Sequence, residues 1–243
     1  MNFTDRVKYM LEKILHDGFA ELGITPDERA AARLRTYYER LTEANRVMNL
    51  TAISGEEDSA RLHFLDCAAM LAHVDMGATR VIDVGTGAGF PGLVLKALQP
   101  DIDLTLLDSL DKRIGFLRDT AAALELENVQ CIHARAEEAD ASLREAFDFA
   151  TARAVARLGL LCELCLPFVK VGGAFVAMKG PDVGEELSEA GRAISVLGGR
   201  AAKPILYTVP GTDITHSLVI IKKERPTPAK YPRRWAQIKK QPL

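Results

Sequence analysis

From Arg80 onward, short apolar runs alternate with longer stretches of helical period, and few folds accommodate that rhythm. The runs are RVIDV, LTLLD, VQCIH, FATARA and AFVAMKG. Between them stand GLVLKAL, KRIGFLRDTAAAL, an acidic segment around EEAD read as a helix, LGLLCELCL, and a helical pattern near residues 184–197. Parallel strands need a crossover, usually helical, so the alternation predicts an α/β fold: a mostly parallel, Rossmann-like sheet covered by helices. Two further runs, RAAKPILYTV and HSLVIIKK, have only PGTDIT between them. That gap is too short for a crossover, so the sheet should end in an antiparallel hairpin, unlike a plain dinucleotide-binding fold.

The residues before this pattern read as helices. Leu11, Ile14 and Leu15, then Leu34, Tyr37, Tyr38 and Leu41, recur at helical spacing, and Pro26 with Asp27 and Glu28 signals a helix start. A third helix is expected from about Ser59 to His73, placing His63 and Asp66 one turn apart. No linker rich in Gly or Ser intervenes. We therefore expect a helical extension over 1–75 packed on a core domain over 76–223, followed by a basic tail over 224–243. At 243 residues and 48% hydrophobic, the chain has core enough to fold without staples.

No apolar run of about 18 residues suggests a membrane span. MNFTDRVKYMLEKIL is charged and helical, unlike a signal peptide, so a cytoplasmic location is expected. Of four cysteines, Cys162 and Cys165 make the single C-x-x-C, with no second pair or suitably spaced histidine. They read as small core residues on an apolar helix, and no metal is expected. Residues 222–243 carry a net +7, leaving −9 on the rest. A basic arm on an acidic body points to polyanions; a solvated, disordered tail is the bland alternative.

DVGTGAGFPG, at residues 83–92, lies between a strand and a helix, the place for a ligand at the carboxyl end of a parallel sheet. Gly87, Gly89 and Gly92 satisfy G-x-G-x-x-G, and Asp108 follows 21 residues after Gly87, as a dinucleotide enzyme would have it. Pro91 weighs against a pyrophosphate, because it removes a donor from the helix start. The acid two positions before the first glycine, Asp83 before Gly85, suits S-adenosylmethionine better. That cofactor has no phosphate, a cationic methionine end and a ribose diol for Asp108. Asp83 would fix the loop or attract the cationic end. A tight turn without ligand is the third reading.

NLT at 49–51, HFLDC at 63–67, the glycine loop, LLDSLDKRIGFL at 106–117, RAEE at 135–138, ARA at 152–154, MKG at 178–180 and KYPRR at 230–234 recur in one family's order. Together they resemble the bacterial small-subunit ribosomal RNA guanine-N7 methyltransferases, the glucose-inhibited division protein B family. The resemblance implies a class I S-adenosylmethionine-dependent methyltransferase fold. Its substrate would be N7 of guanine 527 in the 530 loop of 16S ribosomal RNA, with S-adenosylhomocysteine as product. The partner would be that RNA or the small ribosomal subunit, with no membrane or DNA. Matching cofactor positions are Gly85, Phe90, Asp108, Ser109, Leu110, Ala136, Glu137 and Arg153, beside Asp83, Gly87 and Gly89 of the loop. In the resemblance, Ala136 and Glu137 bracket adenine. Arg153 meets the cofactor's carboxylate or an RNA phosphate.

Guanine N7 carries a lone pair and no proton, so no general base is expected and no residue is assigned proton transfer. Lys112, Arg113, Lys179, Arg233 and Arg234 are candidate RNA contacts. Cys67 stands where the family usually has serine, and Trp235 where many members are richer in glycine. Trp235 reads either as a base-stacking residue or as an anchor for the tail. A small-molecule methyltransferase and an NAD-dependent oxidoreductase remain the alternative activities. His63 and Asp66 read equally as a surface pair or a site pair.

Overall fold

In the computed structural model, which describes residues 10–153 and 156–243, eight strands form one sheet. They are β1 (Arg80–Val84), β2 (Asp103–Asp108), β3 (Val129–His133), β4 (Phe147–Arg153), β5 (Val169–Lys179), β6 (Gly199–Ala201), β7 (Ile205–Thr208) and β8 (Thr215–Lys223). The order is β3-β2-β1-β4-β5-β8-β6, with β7 also paired to β8. The first five strands are parallel. β8 runs antiparallel to β5 and to its other neighbours.

The expected closing hairpin is β7–β8, with Thr208 opposite Thr215. The run RAAKPILYTV, however, makes two strands and not one. Pro204 lies between them, and a proline without an N–H cannot continue a ladder.

Helices follow the strands. α1 (Met10–Leu22) and α2 (Ala30–Met48) precede the sheet, as does a helical run of α3 (Glu56–Ser59), a π-helical turn (Ala60–Leu65) and α4 (Asp66–Ala68). Later come α5 (Gly92–Leu98), α6 (Asp111–Ala123), α7 (Leu158–Cys165), α8 (Gly184–Glu189), α9 (Gly191–Val196) and α10 (Trp235–Lys240). The helix expected to His73 gives way to turns after Ala68. The acidic segment forms only two 3-10 turns, Ala136–Glu138 and Ala141–Leu143. The pattern near 184–197 splits into α8 and α9 at Ala190–Gly191. Residues 1–9 and Ala154 of the quoted motifs lie outside the described residues.

Strand side chains alternate between two cores, as a period of two requires. Val81, Leu106 and Val176 join one core with Leu11, Leu34, Tyr37 and Phe64 of the N-terminal helices. Ile82, Leu107 and Phe175 join the other with Leu161, Cys162 and Cys165 of α7. The N-terminal helices thus share a core with one sheet face. Cys162 and Cys165 are buried, and burial raises both thiols.

Candidate functional site

The carboxyl ends of β1, β2, β4 and β5 open on a cleft of about 1010 Å³. It sits where the strand order reverses, between β1 and β4. The glycine loop forms part of its wall, and six of its N–H groups are bonded within the protein. Gly85 and Thr86 donate to the Leu107 carbonyl at 2.8 and 3.2 Å, and Gly89 and Phe90 to that of Thr86 at 2.9 and 3.1 Å. Gly87 donates to Asp108 Oδ2 at 2.9 Å. The N–H of Gly92, first in α5, goes to Asp83 Oδ2 at 3.0 Å. The donors that a diphosphate would need at a helix start are already satisfied inside the protein.

Asp83 is fully buried and does not line the cleft. Its oxygens also accept the hydroxyls of Thr86 at 2.6 Å and Thr151 at 3.1 Å. Burial pushes its carboxyl up to about 6, while these donors pull it back. Of its two expected roles, fixing the loop is the one with geometry behind it. Gly92 explains the close fit: a Cβ there would sit 2.9 Å from Asp83 Cβ.

Gly89 faces the opposite way. Its φ is 106°, and a Cβ would lie 2.5 Å from the Tyr37 hydroxyl of α2. Gly89 therefore seats the N-terminal helices and does not itself line the cleft. Leu110, 42% exposed, also lies off the cleft wall. Gly85, Gly87, Phe90 and Arg153 line it. So do Asp108, Ser109, Ala136 and Glu137.

Asp108 is nearly buried at the end of β2. Its Oδ1 accepts Leu110 N–H at 2.9 Å, Oδ2 accepts Gly87 N–H, and the Arg113 guanidinium is 3.4 Å away. Oδ1, with one donor, retains acceptor capacity for a further hydroxyl. Glu137, in the first 3-10 turn, is oriented by Arg135, whose Nε donates to Oε1 at 2.5 Å.

A polar cluster occupies the other end. Arg153 Nη2 donates to His63 Nδ1 at 2.9 Å, and Nη1 to Asp66 Oδ2 at 3.3 Å and the Leu62 carbonyl at 3.1 Å. A guanidinium has no acceptor, so His63 Nδ1 bears the lone pair and Nε2 the proton, donated to Thr51 Oγ1 at 2.8 Å. Burial and the neighbouring Arg153 charge hold His63 down at about 3. Asp66 Oδ1 accepts both the Tyr207 hydroxyl and His216 Nδ1 at 2.8 Å. That hydrogen bond raises His216 above the usual histidine value. Phe90 packs into the same cluster, its ring stacked on His63 at 4.2 Å and 4.7 Å from the Arg153 guanidinium.

His63 and Asp66 are thus both buried in the cleft wall and do not form a surface pair. The π-helical turn carries His63, the kind of irregularity often found at functional sites. Thr51 stood within a quoted motif without a role. Arg135 stands two residues before Glu137, close enough in sequence to orient it. His216 and Tyr207 come from β8 and β7, far along the chain, and only a polar residue at a strand end hinted at them.

The candidate RNA residues divide. Arg113 and Lys179 line the cleft, but Lys179 Nζ donates to Glu186 at 2.7 Å and the Ala156 carbonyl at 2.8 Å. Lys112 is exposed at the start of α6. Arg234 is exposed, whereas Arg233 is bound at 2.8 and 2.6 Å by both oxygens of buried Glu163. The Arg233 guanidinium ties the tail down to α7.

The tail is not disordered. Arg144 donates to the carbonyls of Thr227 and Tyr231 at 2.6 and 2.7 Å, and Ile238 is fully buried. Lys222, Arg225, Lys230, Arg234, Lys239 and Lys240 remain exposed.

Comparison with known proteins follows the same lines. A family model described as rRNA small subunit methyltransferase G matches residues 30–206. The chain is 48% identical to ribosomal RNA small subunit methyltransferase G of Alkaliphilus metalliredigens, covering 95% of this chain and 98% of that one. It is 43% identical to the protein of that name from Clostridium botulinum, with the same coverage. Among solved structures it resembles a SAM-dependent methyltransferase from Aquifex aeolicus, with a TM-score of 0.52 and 18% identity over 68% of this chain and 93% of that one. That likeness establishes the class I methyltransferase fold.

Proposed function

Because this chain belongs to the GidB family of rRNA small subunit methyltransferase G proteins, we propose that it methylates N7 of a guanine in 16S ribosomal RNA. The methyl donor is S-adenosylmethionine, and the target is guanine 527 of the 530 loop. One observation carries the cofactor reading: the N–H groups of Gly85, Thr86, Gly87, Gly89, Phe90 and Gly92 are satisfied internally, while Asp108 and Glu137 line the same cleft. A ligand with a diol and an exocyclic amine fits such a wall; a diphosphate does not.

Bound there, S-adenosylmethionine supplies an electrophilic methyl on a sulfonium. Asp108 accepts the ribose hydroxyls, and Glu137, with Oε1 held by Arg135, accepts the adenine amine through its other oxygen. Gly85 and Gly87 let the backbone lie close. The Arg153–His63–Asp66 cluster shapes the end that receives guanine. Neither His63 nor Asp66 stands as an unengaged base. His63 is neutral with its lone pair held by Arg153, and Asp66 accepts three donors. N7 needs none. The protein's work is alignment of nucleophile with methyl and exclusion of water.

Mass spectrometry of 16S fragments from cells with and without this gene tests the proposal. N7-methylguanine at position 527 should vanish in its absence and return with it. A methylated base that persists without the gene contradicts the substrate.

A further inference from the structure

Trp235, the single tryptophan of the chain, lines the cleft from α10, outside the strand–helix pattern that builds the rest of the site. Its place there is enforced. Arg233, two residues earlier, is bound by Glu163 of α7 through both carboxylate oxygens, and its own N–H donates to Glu163 Oε1 at 2.9 Å. Arg144 holds the carbonyls of Thr227 and Tyr231. Buried Lys223 reaches Thr227 Oγ1 at 2.7 Å and the carbonyls of Leu166 and Val169. Ile238, one turn after Trp235, is in the α7 core. The segment is a strap clamped on both sides of the indole.

The indole has a partner in the wall. The Arg135 guanidinium lies 5.4 Å from its ring centre, and the same guanidinium orients Glu137 Oε1. Ring, cation and carboxylate form one row along the edge of the cleft. A cation over an indole face is fixed in direction as well as position, so the ring constrains what the cation holds.

We propose that this C-terminal strap is part of the adenosyl pocket: Trp235 walls its adenine end and acts, through Arg135, as a positioning residue for Glu137. The proposal rests on the cofactor reading above. It assigns the strap to binding of adenosyl ligands in addition to any contact with RNA, and it makes cofactor affinity depend on a segment about 100 residues from Glu137 in sequence.

The experiment is a titration of the full chain with S-adenosylhomocysteine, read by calorimetry and by tryptophan emission. The emission of the unaltered chain comes from Trp235 alone and should change saturably, with the calorimetric midpoint. Trp235→Ala should weaken binding about five- to tenfold, and Trp235→Phe, which keeps a face for the cation, should recover most of it. Arg135→Ala should weaken binding as well, with the double variant losing less than the product of the two.

Trp235→Ala binding within about twofold of the unaltered chain overturns the proposal while leaving the cofactor reading intact. If Trp235→Ala fails to fold, the emission decides, and a constant emission during calorimetric saturation overturns the proposal. An unaltered chain that binds no S-adenosylhomocysteine overturns both.

Discussion

The Tyr37 hydroxyl donates to the Ala88 carbonyl at 2.6 Å, joining the second N-terminal helix to the glycine loop. Both residues are buried, and the same hydroxyl would be 2.5 Å from a Cβ at position 89. The helical extension therefore fixes the loop's shape from behind, and the loop is not shaped by the sheet alone.

Tyr37→Phe leaves a buried carbonyl without its donor and should cost about 1–3 kcal/mol. Urea denaturation should show a lower midpoint at unchanged slope. Gly89→Ala should cost more, because positive φ and three close neighbours oppose it. The two should not add, since removing the hydroxyl relieves one of the contacts. Additive losses would mean that the helix and loop are not coupled as described.

Adjacent arginines in the strap should behave differently. Arg233→Ala strands a carboxylate that is 1% exposed and should cost about 3 kcal/mol in stability. Arg234→Ala should leave stability nearly unchanged. Its effect belongs to RNA binding, where losing one phosphate contact lowers the salt slope by about 1. Thermal denaturation and filter binding across a salt series separate the two.

The two cleft histidines should titrate in opposite directions. His216 is raised by its hydrogen bond to Asp66, so the folded state favours its charged form. Its contribution to stability is full below the ordinary histidine value and is lost as pH rises through the folded one. His63 is held at about 3 by burial and by Arg153, so the folded state favours its neutral form. Its contribution is present above the ordinary value and is lost as pH falls toward 3. Proton NMR should show His63 unchanged between pH 5 and 8 while His216 titrates with a midpoint above about 6.5.

The parallel sheet and its closing hairpin were legible because strand and helix periods differ, and PGTDIT is too short for a crossover. This wall of the cleft was legible too, since Asp108 ends β2 and Glu137 follows β3 at short range. Roles that depend on packing were not. Asp83 and Gly89 belong to one loop pattern in one dimension, yet one caps α5 from below and the other seats Tyr37. Arg233 and Arg234 are indistinguishable as adjacent cations until Glu163 selects one. The cluster on Asp66 joins residues 63, 153, 207 and 216, and no local pattern announces such a meeting. The break at Pro204 is a local signal, since a residue without an N–H interrupts a ladder wherever it stands.

The central claim is that the cleft accepts an adenosyl thioether or sulfonium and has no place for a diphosphate. Calorimetric titration of one preparation with S-adenosylhomocysteine and then with NAD tests it directly. The account predicts saturable binding of the first and none of the second. Tight binding of NAD, with S-adenosylhomocysteine ignored, would contradict it.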